Sequence, residues 1–199
     1  MVRVPTCTKT SEDADLQLDP LILKAISIGL GLMFVVAAWH KLADAAGFRV
    51  TLLEYQVMPE AFVAPASRAI PVAELALGAA WLLGQYAGGL TAIASAALLT
   101  IYAGAIGVNL ARGRVHFDCG CGFGGQGDSE QYLSGGLIVR NLALIGAALL
   151  ALVPATERQL GPVDWIALLG ALIAGALLFS AANQLLANRA AINMWRKPK

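Results

Sequence analysis

Five nearly uninterrupted apolar stretches dominate this chain and leave it few ways to fold. One residue adds about 1.5 Å to an α-helix and a bilayer core is about 30 Å thick, so roughly 20 apolar residues cross it. The stretches run from Leu21 to Trp39, from about Ala61 to Leu83, from about Gly88 to Leu110, from about Leu137 to Val153 and from about Val163 to Leu186. The second is interrupted by Arg68, Pro71 and Glu74, and the proline is expected to kink it. A closed β-barrel is the other spanning architecture, but its short strands alternate in polarity and these runs do not. At 58% hydrophobic and 14% charged residues, the chain is neither a soluble globule nor a disordered or collagen-like one. The expected fold is all-α: a polytopic transmembrane bundle with a four-helix core and a fifth, C-terminal span. Residues 1–20 form a polar tail, 21–186 the bundle and 187–199 a basic tail. The first span is not a cleaved signal peptide, because its apolar run is too long and no small-residue cleavage site follows.

Small residues such as Gly29, Gly31, Gly170, Ala174 and Gly175 are expected to let helices approach closely in lipid. Five crossings put the termini on opposite sides. The flanks on the N-terminal side then carry 4 of the Lys and Arg residues and the other flanks 10, which places the N-terminus outside and the C-terminus in the cytoplasm. A net charge of +1 gives no electrostatic footprint for nucleic acid, which is excluded as a partner on bulk charge. Between His40 and Glu60 the apolar residues Phe48, Leu52, Leu53 and Tyr55 recur at helical spacing, which predicts a short interfacial helix ended by Pro59. A tight turn is expected at Gly84–Ala87. The basic tail with Trp195 reads as an interfacial anchor on the lipid membrane.

The longest internal polar segment, 111–136, holds Asp118-Cys119-Gly120-Cys121-Gly122. Disulfides want Cα atoms about 4.4–6.8 Å apart, and two extended residues reach about 7 Å. A slight bend at Gly120 therefore brings the two sulfurs within bonding reach. So small a ring is strained, and strained disulfides are the labile ones. Arg112, Arg114 and His116 favour the thiolate, whereas Asp118 opposes it. A metal site built from His116, Asp118, Cys119 and Cys121 is the competing reading. The spacing is too short for structural zinc, while a soft Cu(I) site stays open. Plain loop residues are a third reading, and thiol redox chemistry is preferred to both. Cys7, in the polar tail, is read as an ordinary tail residue rather than a reactive thiol.

Glu74 near the middle of a span is costly, by about 2.5–3.5 kcal/mol on insertion scales, and so marks a site. Its expected partner is Lys41, Arg112 or Arg140, in a functional role or as a buried pair that only fixes packing. Lys41 is expected to snorkel to the interface, and His40 beside it to shuttle protons near neutral pH. Asn109, Arg112, Arg140 and Asn141 flank the cysteine segment. They are expected to anchor it or, less simply, to hold a quinone or a thiolate.

Taken in order, these residues resemble the methylamine utilisation protein MauE family, within the wider DoxX-like group of small membrane proteins. The resemblance covers about Leu21 to Val153. It rests on His40-Lys41, Tyr55, Pro59, Pro71-x-x-Glu74-x-x-x-Gly78, Asn109-Leu-Ala-Arg112-Gly113, Asp118-Cys119-Gly120-Cys121-Gly122, Leu133-Ser134 and Arg140-Asn141. Many members read Cys-Gly-Cys-Phe-Gly, and this chain inserts Gly122. The resemblance implies a bacterial inner-membrane protein that supports processing, transport or disulfide formation of the methylamine dehydrogenase small subunit, together with a thioredoxin-like periplasmic partner. The expected mechanism is thiol–disulfide exchange at Cys119 and Cys121, with Glu74 and His40 managing protons. The alternatives are a non-redox scaffold or exporter, and a quinone- or metal-binding protein. The charge bias puts the cysteine segment on the cytoplasmic side, whereas the implied client lies outside. A Gly-rich loop dipping into the bundle, or the opposite orientation, would reconcile the two.

Overall fold

The computed structural model describes residues 17–84, 89–113 and 135–195, with side chains to residue 185. Cys7, His116, Asp118, Cys119, Cys121 and most of the expected 84–87 turn lie outside the described residues. Among the described residues six helices follow one another: α1 (Pro20–Ala43), α2 (Ala45–Tyr55), α3 (Glu60–Leu82), α4 (Leu90–Ala111), α5 (Gly135–Leu150) and α6 (Pro162–Trp195). No strand occurs among the described residues, only a single bridge between Leu18 and Ala155.

The helix ends follow from local chemistry. Asp19 accepts from the Leu21 N–H at 2.8 Å and Pro20 opens α1, since a proline loses nothing where the N–H has no helical partner. Asp44 separates α1 from α2 and caps the second through the Gly47 N–H at 2.9 Å. The interfacial helix ends earlier than expected, at Tyr55, where Gln56 turns left-handed with φ 46°. Pro59 does not terminate α2 but precedes the first turn of α3. α3 runs unbroken through Pro65 and Pro71, although each proline leaves the carbonyl four residues back without its helical donor.

α1, α3, α4 and α6 are long and apolar enough to cross a membrane. α5 is shorter than the expected span. Its 16 residues reach about 24 Å at about 1.5 Å each. α6 is longer than expected and continues to Trp195.

The core is contributed by α1, α3, α4 and α5: Leu23, Leu30, Phe34, Trp81, Ala92, Leu99 and Ala148 pack together. This is the expected four-helix core, with α6 outside it. The tightest crossing is α1 on α3. A Cβ on Gly78 would lie 2.8 Å from Val35 Cγ2 and 3.0 Å from the Gly31 carbonyl oxygen, so only hydrogen fits at that position. Gly31 is equally closed, by Leu82. A Cβ on Gly29, Gly170 or Gly175 would meet nothing within 4 Å among the described residues, so these three glycines mark no close helix approach there. Most of the α6 side chains stand exposed, among them Ile166, Leu169, Ile173 and Leu177.

The two ends of the bundle differ. At one end Leu18 pairs with the 154–156 backbone through Leu18 N–H to Pro154 O (3.0 Å) and Thr156 N–H to Leu18 O (2.9 Å). There Arg158 reaches Asp19 at 3.3 Å and Asp164 at 2.9 Å. The hydrogen bond that Arg158 donates to Asp164 holds the exposed guanidinium above its ordinary pKa. At the other end lie α2, the start of α3, the end of α4 and the start of α5. Arg112 Nη1 donates to the Gln56 carbonyl at 3.1 Å, and Tyr55, Ile106 and Leu137 form one buried cluster.

Candidate functional site

α3 presents Val63, Pro71, Glu74, Gly78 and Trp81 on one buried face, at steps of three and four residues after the first turn. The close approach of Gly78 to α1 sets that face against the last turns of α1. Glu74, 1% exposed, there forms an ion pair with Lys41 through Oε1. Lys41 is 6% exposed, so the expected snorkelling lysine is instead a buried one. Burial of both partners is tolerable because each supplies the charge the other needs, and the bilayer offers neither any water. Of the three cations expected near Glu74, the helix packing selects the one on α1.

Two further groups complete the site. Tyr102, on α4, donates its hydroxyl to the same Oε1 at 2.7 Å. The ammonium of Lys41 lies 5.1 Å from the Tyr102 ring centroid and 5.5 Å from that of Phe48, within cation–π reach of both. α1, α2, α3 and α4 therefore converge on one charge pair. Nearer the opposite end, Trp81 Nε1 donates to Ser95 Oγ at 2.9 Å and Ser27 Oγ to the Trp81 carbonyl at 2.6 Å, stitching the same three long helices again.

Two cavities share Lys41 and Tyr102 as a common wall. The smaller, about 30 Å³, is lined by Glu74, Arg140, Asn141 and Phe179 along with apolar residues of α1 and α4. The larger, about 90 Å³, lies under α2 and is bounded by Phe48, Tyr55, Met58, Ile70 and Ile106. Apart from Lys41, Thr51 and the two tyrosines, its walls are apolar.

The other expected site residues are distributed around this centre. Asn141, buried, lines the small cavity, as does Arg140. Arg140 Nη1 donates to Asn183 Oδ1 at 3.0 Å and its guanidinium stands 5.7 Å from the Phe179 ring, tying α6 to α5. Asn109 is buried and donates to the Ala105 carbonyl of its own helix at 3.0 Å. Arg112 braces the α2–α3 connection rather than the Glu74 site. His40 is exposed and lines neither cavity. Asp118, Cys119 and Cys121 lie outside the described residues.

Tyr102, Phe48 and Asn183 had not been expected at the site. Ser95, Tyr102 and Asn109 recur every seven residues along α4, on the face that also carries Leu99 and Ile106. That polar stripe was the available signal for Tyr102. Nothing in the sequence pairs Asn183 with Arg140.

The family model for the methylamine utilisation protein MauE matches residues 19–154. The match runs from the cap of α1 to just past α5 and stops before α6. A protein of Paracoccus denitrificans named methylamine utilization protein MauE is 35% identical over 136 residues, covering 68% of this chain and 71% of its own length. Its namesake in Methylophilus methylotrophus is 30% identical, covering 83% and 86%. The one in Paracoccus versutus is 35% identical, covering 81% and 83%. No solved structure matches the chain. With the family model spanning the whole four-helix core and these relatives aligned over most of their length, the chain belongs to the MauE family of methylamine utilisation proteins.

Proposed function

We propose that this multi-pass protein acts in methylamine utilisation in the bacterial inner membrane. There it supports maturation of a disulfide-rich exported subunit, the methylamine dehydrogenase small subunit, by relaying thiol–disulfide equivalents to a thioredoxin-like partner. One cysteine thiolate, from Cys119 or Cys121, attacks the partner disulfide and releases one partner thiolate. The other cysteine then attacks the mixed disulfide and releases the second. The pair ends oxidised and the partner reduced by two electrons; the reverse steps oxidise the partner.

The observation that carries this reading is the position of the two described ends of the cysteine segment. Arg112 and Leu137 both sit at the α2 end of the bundle, where Leu137 packs with Tyr55 and Ile106, and those two line the larger cavity together with Lys41. A charge pair held in an apolar bundle is a costly feature, and beside a thiol couple it offers proton donors and acceptors. The larger cavity suits a quinone as the oxidant of the reduced pair. It has apolar and aromatic walls and an ammonium to donate to a quinone oxygen. Two thiols would then give a disulfide while the quinone takes up two electrons and two protons.

The test is replacement of Cys119 and Cys121 by Ser, singly and together, followed by mapping of the client's disulfides. A relay gives client lacking its correct disulfides. Fully bonded, active client from the double variant would overturn the relay and leave a scaffold or exporter.

A further inference from the structure

An acceptor and a donor without a hydrogen bond belong to two buried residues that line the small cavity, whose wall also carries Arg140. Glu74 spends Oε1 on Lys41 and Tyr102, and its Oε2 has no hydrogen bond. Asn141 Nδ2 has none either. The two residues are 1% and 2% exposed and line the same cavity of about 30 Å³. One water needs roughly 10–15 Å³ measured this way, together with at least two polar partners. Leaving either atom unsatisfied costs about 1–3 kcal/mol, and a lipid-embedded bundle has no bulk water to relieve it.

The geometry points to a built water site between Glu74 and Asn141: a bound water accepts from Asn141 Nδ2 and donates to Glu74 Oε2. This satisfies both orphaned atoms at once. It also ties α5, which walls the cavity through Asn141 and Leu144, to the charge pair held by α1, α2, α3 and α4. Because α5 opens at the described end of the cysteine segment, the water links that end to the ion pair. It also provides an exchangeable proton at the carboxylate oxygen that Lys41 leaves open. The inference does not depend on the thiol chemistry proposed above.

The sign of one substitution separates a hydrated site from a dry one. Asn141→Leu keeps the side-chain size and removes the polar group. In a dry cavity it deletes an unsatisfied donor, which is neutral or stabilising. In a hydrated one it strips the water of a partner and strands Glu74 Oε2, so the full-length protein in detergent should melt roughly 3–8 °C lower. Infrared spectra supply the second measurement. The wild type should show a bound-water O–H stretch that moves when H₂¹⁸O replaces H₂¹⁶O, and this band should vanish in Asn141→Leu. Asn141→Ser keeps a donor, should shift the band without abolishing it, and serves if the Leu variant does not fold. A melting point that stays level or rises in Asn141→Leu overturns the site, as does the lack of an isotope-sensitive band or a band indifferent to the Ser variant.

Discussion

Lys41 on α1 and Glu74 on α3 form an ion pair whose side chains are 5% and 1% exposed, at the point where α2 and α4 also converge. Such a pair adds little net stability over an apolar replacement, yet the loss of one partner is severe because the other is left charged and buried.

Glu74→Gln should therefore destabilise the protein by about 3–5 kcal/mol, whereas Lys41→Met combined with Glu74→Leu should recover most of that loss. Thermal unfolding of Lys41→Met, Glu74→Leu and the double variant measures this as a coupling energy. Additive losses would mean that the two side chains do not act as a pair.

Tyr102→Phe removes only the hydroxyl that donates to Glu74 and keeps the ring over Lys41. Hydrogen bonds to charged groups contribute about 1.5–3 kcal/mol, so the loss should fall in that range and below that of Glu74→Gln. A variant as stable as the parent would show that the hydroxyl bond carries no weight.

Gly78→Ala, at the α1–α3 crossing, and Gly29→Ala, on an open face of α1, make a contrast. The first drives a methyl into Val35 and the Gly31 carbonyl and should cost about 1–3 kcal/mol or more. The second meets open space and should be neutral or gain up to about 1 kcal/mol from helix propensity. Equal effects at the two positions would contradict the α1–α3 crossing.

Alternating helices put Glu54, on α2, and Glu157, beside Arg158, at opposite ends of the bundle. Single cysteines at these two positions, with the native cysteines replaced by serine, should label with a membrane-impermeant thiol reagent from opposite sides. Labelling from the same side would break the topology. If the charge bias sets orientation, position 54 should face the cytoplasm.

Much of the architecture was visible in one dimension. Apolar length and the lack of alternation led to a helical bundle, and the resemblance read over about Leu21 to Val153 covers nearly the stretch, 19–154, that the family model matches. Errors collected where local signals compete with packing. Pro59 reads as a stop but stands at a start, since a proline serves equally well before a first helical turn. Lys41 reads as an interfacial lysine because it closes an apolar run, and nothing local reveals that α2 and α4 cover it.

Sequence by itself determined that apolar helices must pack together and that Glu74, placed among them, required a cation, because both follow from solvation along a single chain. Which cation it took, that Tyr102 and Phe48 would surround it, and that Asn141 would face the same cavity were decided only by the tertiary structure. The physical reason is the crossing of α1 and α3 at Gly31 and Gly78. Backbone contact there fixes which turns lie level with each other, and hydropathy along a chain carries no information about level.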